Sequence, residues 1–534
     1  MPVGESYKRS QAGESWDAIV IGSGIGGLTA AAFLAKAGQR VLVLEQHSTA
    51  GGATQTFRRA GYEWDAGLHY IGQVHRPGSN LRRIFDYISG CKLEWDPMPD
   101  VYNTIIVGEN VYEYRSGQDA FAERMKQYFP SEAAAIDRYL ALVSQVNRSA
   151  RSFFAHRALP PQFSKSAYED MCGAFREYSD RTVIDVLSEL TDDTELIAVL
   201  CGHCGDYSLS PGDASFAVHA MLIRHYIDGA SYPRGGSGRL AETISTAIES
   251  AGGAILVSAE VTSILLDDDT GASTGVEMAD GRKFHARAVI SDAGVTPTLG
   301  GLLPETAHNE SVRTVLNAST EVGPSLPWVV LNIGITESAA DLDLPQGNIW
   351  IHPETDIDAH IKAFQKTPAT SSMPLYFLTF PSAKDSTWDE RHPGRATIDI
   401  AGVTSWSLFE KFSDTSWMNR GDEYQALKSR LTDELLEQVY QFCPLIRGKV
   451  DHTELATPLS FNHFLGRSHG DFMSMAASPA RFAIRDLGAH SGVDNLYLAG
   501  QDVAAAGVVG AAQGGVIAAS AVLGRNVLAD LAPA

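Results

Sequence analysis

The sequence predicts an α/β fold in which a Rossmann-type domain is interleaved with a second, mixed α+β domain. Two observations lead to this prediction. A short apolar strand, a glycine-rich turn and a helix-forming run follow one another at residues 17–37, as in a strand–helix–strand unit. A second apolar strand runs into a glycine-rich helix start at residues 495–515. Because these signals lie at both ends of the chain, interleaved domains fit better than sequential ones.

The first unit is built from three elements in order. Residues 17–21 form an apolar run that ends at Gly22, and residues 28–37 are helix formers that end before Gly38. Glycine is a common helix stop, because it adopts the left-handed conformation without strain. The apolar run 41–44 follows, so we expect two parallel strands joined by a right-handed helical crossover.

The remaining segments alternate between two compositions. Residues between about 90 and 230 read mainly as helix, and strand-like runs return at 254–257, 261–266 and 287–291. We therefore expect two domains made of alternating segments. The Rossmann-type domain would consist of residues 14–90, 230–300 and 485–534, and the second domain of residues 91–229, mainly helical, and 301–484.

Charge and cysteine content exclude several classes of protein. The formal net charge is −22, from 42 basic and 64 acidic side chains. Such a surface repels polyphosphate chains, so we expect no nucleic-acid partner. The five cysteines are odd in number and widely scattered, which favours a reducing compartment over a disulfide framework.

The chain shows no targeting or membrane-spanning pattern. The first 16 residues are polar and lack the apolar stretch of a secretory signal, so we expect a cytoplasmic protein. Residues 503–523 carry no charge, but glycines and a glutamine interrupt them. We interpret this run as a buried helix, and not as a membrane span.

A dinucleotide fingerprint is the strongest motif. Gly22, Gly24 and Gly27 satisfy G-x-G-x-x-G between a strand and a helix. The first glycine permits the tight turn, the second lets the backbone approach a pyrophosphate, and the third lets helix and strand pack closely. Glu45 ends the second strand, where a carboxylate can accept ribose hydroxyls and would repel a 2′-phosphate.

Further features favour FAD over NAD. The doublet Gly51-Gly52 follows Glu45, and the late strand ends in Gly500-Gln501-Asp502, ahead of a helix that contains Gly510. Both patterns are typical of flavoproteins of the glutathione-reductase and amine-oxidase type. No second G-x-G-x-x-G occurs between residues 150 and 480. We therefore expect FAD to exchange electrons with an external donor or acceptor.

These motifs give the chain a family resemblance. It resembles the phytoene-desaturase-like flavoproteins, and within them the retinol saturase and carotenoid isomerase branch. The likeness spans nearly the whole chain, and its stretches include DAIVIGSGIGGLTAAAFLAKAGQRVLVLEQHSTAGG, WDAGLHYIG, FPSAKDSTWDERHPGRATI and NLYLAGQDVAAAGVVGAAQGG. The resemblance implies an FAD-dependent enzyme that saturates, desaturates or isomerises carbon–carbon double bonds of a long apolar lipid, such as a carotenoid, a retinoid or a fatty acyl chain.

The resemblance also implies roles for individual residues. Glu45 would bind the adenosine ribose, Val261 would contact the adenine end through its backbone, and Asp502 would hold the flavin side. His69 and Tyr70 would lie near the isoalloxazine ring. Since adding hydrogen across a double bond needs a proton as well as a hydride, we take His69, Tyr70 and His225 as the catalytic candidates.

Several alternatives remain open at this point. A redox-neutral double-bond isomerase is the main one; an amine oxidase or a non-catalytic flavin-binding lipid carrier would share the same scaffold. The pair Cys201 and Cys204 has C-x-x-C spacing, but no second ligand pair accompanies it, so we expect packed thiols and no metal site. A water-insoluble substrate also suggests peripheral membrane contact, for which basic and aromatic residues near Phe154 are candidates.

Overall fold

The computed structural model describes residues 3–531. Its strands are β1 (Glu5–Ser6), β2 (Ser15–Ile21), β3 (Val41–Glu45), β4 (Thr56–Arg59), β5 (Tyr62–Asp65), β6 (Ile71–Gly72), β7 (Trp95–Pro97), β8 (Val101–Val107), β9 (Asn110–Arg115), β10 (Ala230–Pro233), β11 (Ala254–Val257), β12 (Val261–Leu266), β13 (Ser273–Met278), β14 (Lys283–Ser291), β15 (Trp328–Ile335), β16 (Asn348–His352), β17 (Tyr376–Thr379), β18 (Ala396–Val403), β19 (Val450–Ala456) and β20 (Leu496–Leu498).

Helices connect and cover these strands. They are α1 (Ile25–Lys36), α2 (Asn80–Ser89), α3 (Gln118–Tyr128), α4 (Ala133–His156), α5 (Pro161–Ser179), α6 (Val183–Ser188), α7 (Thr194–Leu200), α8 (Phe216–Tyr226), α9 (Gly238–Ser250), α10 (Val295–Pro297), α11 (Glu310–Val322), α12 (Ile357–Lys366), α13 (Pro381–Lys384), α14 (Trp388–Arg391), α15 (Asp422–Phe442), α16 (Pro458–Leu465), α17 (Pro479–Phe482) and α18 (Gly507–Leu523).

The first sheet gathers strands from distant parts of the chain. Its order is β1-β11-β3-β2-β14-β13-β12, and β20 pairs with β14 beside β13. The strands β1, β11, β3, β2, β14 and β20 run parallel, whereas β12, β13 and β14 form an antiparallel meander. This arrangement is the Rossmann-type sheet that the sequence predicts; β1 adds an edge strand that lies ahead of residue 14.

Two glycine-rich helices pack face to face beside this sheet. A Cβ at Gly515 of α18 would meet the carbonyl oxygen of Gly26 in α1, and one at Gly514 would meet the backbone of Gly500. Only glycine permits such a close approach of two backbones. The last helix of the chain is thereby held against the first, and both begin at the same edge of the sheet.

The second domain is built around a seven-stranded sheet of order β19-β15-β18-β17-β16-β8-β9. Adjacent strands in this sheet pair antiparallel, except that β16 runs parallel to β8. The helices α3–α8 lie between β9 and β10 in the chain, and apolar side chains at helical spacing on α4 and α8 are buried between them. These helices form the wall opposite the sheet.

Two small sheets join the domains. The hairpin β4-β5 follows the first Rossmann segment, and β10 pairs with β6 and β7. The stretch WDAGLHYIG therefore runs from β5 through a loop into β6, directly between the two large sheets. Within residues 3–531, no helix is long and apolar enough to cross a membrane.

Candidate active site

A long cleft follows the edge of the first sheet at the fingerprint turn. It contains about 1410 Å³ of empty space, and Gly22, Gly24, Glu45, Gly52 and Val261 line it. The carboxyl ends of the strands β2, β3 and β14 face the cleft, because the residues that end or follow these strands line it. This is the edge at which open α/β sheets bind their ligands.

The glycines of the cleft have backbone conformations or close contacts that another residue could not adopt without strain. Gly22 has φ +92° and Gly52 has φ +53°, and a Cβ at Gly52 would lie 3.1 Å from the Cα of Gly24. Residues that carry a side chain rarely adopt such φ values. The loop at residues 51–52 therefore lies directly on the fingerprint turn, and both present bare backbone to the cleft.

Glu45 is fixed at the end of β3. Its Oε2 accepts hydrogen bonds from the backbone N–H of Ser23 at 2.9 Å and from the Ser23 hydroxyl at 2.7 Å, and its Oε1 accepts from the backbone N–H of His47 at 2.8 Å. The carboxylate oxygens keep further lone pairs for a ligand. A buried carboxylate that lines the cleft and is oriented in this way can accept ribose hydroxyls.

Three other predicted cofactor glycines pack against protein and do not line the cleft. A Cβ at Gly27 would meet the carbonyl oxygen of Gly22, and one at Gly51, where φ is +126°, would lie 3.0 Å from the Cβ of Ala241. Gly500, with φ +84°, lies against Asp292. These glycines shape the turn and hold α1, the 51–52 loop and β20 close to it.

Asp502 and Gly510 also lie outside the lining of the cleft. The Asp502 carboxylate is 4% exposed, and it accepts hydrogen bonds from the backbone N–H groups of Val295 at 3.0 Å and Met475 at 3.3 Å. Gly510 lies within α18, where a Cβ would meet the carbonyl oxygen of Ala505. The structure therefore gives Asp502 a role in joining three chain segments.

A half-buried acid, Asp292, lies at the centre of the fingerprint. It follows β14 and lines the cleft, and a Cβ at Gly24 would lie 2.6 Å from its Oδ2. Burial raises the pKa of Asp292 to about 7, against the hydrogen bond from the Gly27 backbone and the charge of Arg467, which lower it. This residue was not predicted as a site residue, although it directly follows the strand-like run at residues 287–291.

Two further polar side chains line the cleft that were not predicted to bind the cofactor. Arg467 carries the only full positive charge among the described residues that line the cleft, and its Nη1 donates to the Ser474 hydroxyl at 2.9 Å. Gln501 lines the cleft beside Asp502 and accepts from the backbone N–H of Gly507 at 3.2 Å. A guanidinium in this position can pair with a phosphate.

The cleft fits FAD. It runs along the ends of the parallel strands β2, β3 and β14, as an extended dinucleotide requires. The Glu45 carboxylate in its lining is suited to a ribose. The bare glycine turn and the Arg467 guanidinium, which lie elsewhere in the lining, are suited to a diphosphate. Glu45, the 22–24 turn, Gly52 and Arg467 are the residues that would hold the cofactor.

An aromatic chamber adjoins the cleft. It contains about 950 Å³ of empty space and shares Gly67, Phe472, Met473, Gly507 and Val508 with the cleft lining. The rest of its wall is largely apolar and includes Leu68, Leu222, Trp328, Val330, Trp350, Phe377, Ala401 and Phe461. Since the start of α18 borders both spaces, the flavin end of a bound FAD would face this chamber.

A third cavity, the tunnel, adjoins the chamber and opens toward solvent. It has about 2120 Å³ of space, part of it open solvent, between α4, α5, α8 and α18. Asp206, Leu222, His225 and Val509 line both the tunnel and the chamber. Phe154 lines the tunnel and is 9% exposed, so it packs inside and forms no surface patch.

His69 lies in the chamber wall beside a buried charged cluster. Its Nδ1 is 3.7 Å from Oδ2 of Asp399, and neither atom has a hydrogen-bond partner among the described residues. Lys384 donates to the backbone carbonyl of His69 at 3.1 Å. Burial lowers the pKa of His69 to about 3 and that of Lys384 to about 7, and it raises the pKa of Asp399 well above its usual value.

His225 is held by a main-chain hydrogen bond. The backbone N–H of Gly72 donates to its Nε2 at 2.8 Å, so the neutral ring carries its proton on Nδ1. Burial lowers the pKa of His225 to about 3. The ring therefore stays neutral in the physiological range and joins α8 to β6.

Tyr70 forms a pair with an acid that the sequence analysis did not select. Its hydroxyl donates to Oδ2 of Asp206 at 2.7 Å, and its ring stacks on Tyr226 at a centroid distance of 4.3 Å. Burial raises the pKa of Asp206 to about 7, although the hydrogen bond from Tyr70 lowers it. The His69–Tyr70 stretch and His225 thus meet around one chamber, together with Asp206.

The C-x-x-C pair contributes no exposed thiol. Cys201 and Cys204 are each 1% exposed, and burial raises both of their pKa values. The cysteines are unpaired. Among residues 3–531 no group of His, Cys, Asp or Glu side chains is arranged to hold a metal ion.

Comparisons with known proteins agree with this geometry. A family model described as flavin containing amine oxidoreductase matches residues 25–297. The chain is 34% identical to the all-trans-retinol 13,14-reductase of Danio rerio, over 98% of this chain and 88% of that protein. It is 26% identical to prolycopene isomerase 2 of an Oncidium hybrid cultivar, over 99% of this chain and 86% of that protein.

A solved structure shares the fold. Cyclohexylamine oxidase from Brevibacterium oxydans IH-35A superposes with a TM-score of 0.60 at 17% sequence identity, and the match covers 96% of this chain and 100% of that chain. At this identity the likeness concerns the fold alone. It supports an FAD-binding Rossmann-type domain interleaved with a mixed α/β domain.

Proposed function

We propose that this chain saturates one double bond of a retinoid-like polyene. It belongs to the flavin-containing amine oxidoreductase family and, within that family, to the group of the all-trans-retinol 13,14-reductases. The membership confirms the resemblance found in the motifs, and FAD as the cofactor. The chain is an FAD-dependent oxidoreductase that acts on carbon–carbon double bonds. The proposal concerns the direction of the reaction and the substrate.

One observation carries the proposal: the cleft adjoins the chamber, and the chamber adjoins the tunnel, through shared lining residues. The chamber shares lining residues with the cleft at the start of α18, and with the tunnel at Leu222 and Val509. A rod-shaped apolar molecule that enters through the tunnel would therefore end beside the flavin end of the cleft. Identity to the reductase is 34%, against 26% for the isomerase, which favours saturation over isomerisation.

The residues of the chamber suit a polyene. Trp350 and Phe377 lie at a centroid distance of 4.3 Å, and Tyr70 stacks on Tyr226. Such faces bury apolar surface and exclude water from the reacting bond. When bound and reduced, FAD supplies a hydride; the chain's own task is to orient the double bond and to provide a proton.

The experiment is an anaerobic incubation of the purified protein with reduced FAD and a panel of retinoids, carotenoids and unsaturated fatty acids. We expect one class, the retinoids, to gain two hydrogens by mass spectrometry. An unchanged mass with altered retention would favour the isomerase, and peroxide released with amines but not with lipids would favour an amine oxidase. Either result would contradict the proposal.

We further propose that the electrons come from an external donor. A single dinucleotide fingerprint supports this, because the chain between residues 150 and 480 contains no second G-x-G-x-x-G. NADH and NADPH alone should then leave the yellow flavin absorbance unchanged under anaerobic conditions, whereas a chemical reductant should bleach it. Rapid bleaching by a nicotinamide cofactor would contradict this.

We also propose that the tunnel mouth touches a membrane surface. Pro160 and Arg151 line the tunnel, and Phe163, at the start of α5, is 58% exposed. Arg151 and Lys165 are exposed as well. An exposed aromatic ring next to cations suits the membrane interface, and a membrane is the natural source of an apolar substrate.

Sedimentation with liposomes tests the membrane proposal. Phe163→Ser should lower the bound fraction on vesicles of mixed neutral and anionic lipid at low salt. Val111→Ser is the matched control, because Val111 is 55% exposed in a different domain region, on β9. Equal binding of both variants and the wild type, or none at all, would contradict the proposal.

For the compartment we propose the cytoplasm. The unpaired cysteines support it, since four of the five are buried as free thiols and oxidising compartments favour disulfides. Expression of a fluorescently tagged protein, followed by fractionation, would test it; recovery in the secreted or lumenal fraction would count against it.

A further inference from the structure

We propose that Asp206 is the proton donor of the reaction, and that Tyr70 positions it. This inference rests on the proposed function, because it assigns the proton that saturation of a double bond needs. It comes from one juxtaposition: a carboxyl group lies where the aromatic chamber meets the water-accessible tunnel, and a buried tyrosine holds it there.

The location of Asp206 meets both requirements of a proton donor. It lines the chamber, where the double bond would lie, and it lines the tunnel, from which water can return the proton. It is the only carboxyl group among the described residues of the chamber lining. A donor must reach the reacting atom and must be recharged after each turnover.

Tyr70 fixes the orientation of the carboxyl group. Its hydroxyl donates to Oδ2 of Asp206 at 2.7 Å, and Asn103 Nδ2 donates to the Tyr70 hydroxyl at 3.5 Å. Tyr70 is only 5% exposed and is stacked on Tyr226. Because one carboxylate oxygen is engaged in this way, the other is free to carry the transferable proton.

The histidines of the chamber are poorer donors. Burial lowers the pKa of both His69 and His225 to about 3, so each ring is neutral near pH 7 and its remaining N–H is a very weak acid. His225 also receives a hydrogen bond at Nε2 from the backbone of Gly72. Neither imidazole offers an acidic proton under conditions in which the enzyme would work.

Burial, and not a neighbouring charge, raises the pKa of Asp206. Tyr70, Tyr102, Tyr226 and Cys204 are the titratable side chains that face it, and burial raises the pKa of each. They are therefore uncharged near pH 7 and neither supply nor remove a proton there. The pKa of Asp206 itself is raised to about 7, which is the range that favours general acid catalysis at neutral pH.

The reaction adds one hydride and one proton to the double bond. When bound and reduced, FAD would supply a hydride to one carbon of the double bond and would itself become oxidised, while the π electron pair would form a new C–H bond at the other carbon with the proton of Asp206. The remaining carboxylate takes up a proton from water in the tunnel. The product has two more hydrogens than the substrate, and the external reductant restores the flavin.

Substitution of Asp206 tests the assignment. Asp206→Asn keeps the size of the side chain and removes the acid, so we expect the rate of double-bond reduction to fall by about 10²- to 10⁴-fold, with unchanged FAD content and lipid binding. Asp206→Glu should recover part of the rate. Asp213→Asn is the matched control, because its side chain is 56% exposed and lies outside the chamber lining.

The pH profile of Tyr70→Phe gives a second readout that does not depend on the Asp206 variants. A general acid is active when protonated, so the rate should fall as pH rises through about 7. Tyr70 lowers the pKa of Asp206 through its hydrogen bond; its loss should therefore move the falling limb to higher pH. A purely structural Tyr70 would lower the rate at every pH without moving the limb.

The outcomes separate this inference from the proposed function. A wild-type protein that adds no hydrogen to any polyene contradicts the proposed function. A wild-type saturase whose Asp206→Asn variant keeps its rate within about threefold overturns only the donor assignment. If Asp206→Asn does not fold, an unmoved pH limb in Tyr70→Phe overturns it instead.

Discussion

The Glu45 carboxylate accepts two hydrogen bonds from Ser23, one from its main-chain N–H at 2.9 Å and one from its hydroxyl at 2.7 Å. The end of β3 is thereby joined to the middle of the fingerprint turn. The strand end that would bind the ribose and the turn that would bind the diphosphate are therefore directly linked.

Glu45→Gln should weaken FAD binding by about 10- to 100-fold, because hydrogen bonds to a charged group contribute about 1.5–3 kcal/mol. Ser23→Ala should weaken it by only a few fold, since the main-chain hydrogen bond to Glu45 remains. Quenching of FAD fluorescence on binding to the apoprotein measures both. Glu109→Gln, an exposed site, is the control; a Glu45 variant that binds like this control would contradict the ribose assignment.

FAD affinity should depend on pH through Asp292. Because burial raises the pKa of Asp292 to about 7, its carboxyl group is mainly neutral below that pH and becomes an anion above it, beside the glycine turn where the diphosphate would bind. The dissociation constant of the wild type should therefore rise as pH increases from 6 to 8.5. Glu45, Arg467 and Asp502 are the charged groups that act on Asp292, and Asp292→Asn leaves them in place.

Titration of the apoprotein with FAD at several pH values checks this expectation. The Asp292→Asn variant should bind with a nearly constant dissociation constant over the same range. Parallel pH dependence in the two proteins would show that another group is responsible.

Narrowing the passage between tunnel and chamber should block long substrates. Leu222 lines both spaces, and Leu222→Trp should reduce turnover of a full-length polyene by at least about tenfold, while FAD content stays at the wild-type level. Leu445→Trp, at a side chain that is 53% exposed, controls for the added bulk. Steady-state rates with one substrate suffice, and unaltered turnover in Leu222→Trp would mean that substrates enter by another path.

The native protein should react with a thiol reagent at one site. Cys91 is exposed, and the other four cysteines are buried; since the thiolate is the reactive form, the raised pKa values of Cys201 and Cys204 protect them further. A colorimetric thiol assay should count about one group in buffer and five in denaturant. Rapid labelling of the C-x-x-C pair would revive a redox role for it.

Sequence reasoning performed best where the signal is local. The runs at residues 254–257 and 261–266 are the strands β11 and β12, and the run at 41–44 lies in β3. Gly22 and Gly24 of the fingerprint, Glu45 and the second glycine of the doublet line one cleft. In each case neighbouring residues determine the backbone shape, so the pattern alone was sufficient.

The residues that were missed depend on distant contacts. Asp206 became a candidate only because its partner Tyr70, 136 positions earlier, lies beside it. Asp292 matters because a strand from the middle of the chain ends beside the glycines of the first turn. No periodicity or spacing reports such a juxtaposition, and an aspartate after a strand is ordinary in sequence.

The packing of Gly515 against the Gly26 backbone has a consequence for biosynthesis. As the chain leaves the ribosome, its first 490 residues emerge without β20 and α18, so the surface of α1 that later meets α18 stays bare. The apolar surface of α1 therefore stays exposed in the nascent protein until translation is almost complete. Chaperone demand should be highest at this stage, and premature termination near residue 500 should yield material that the cell degrades.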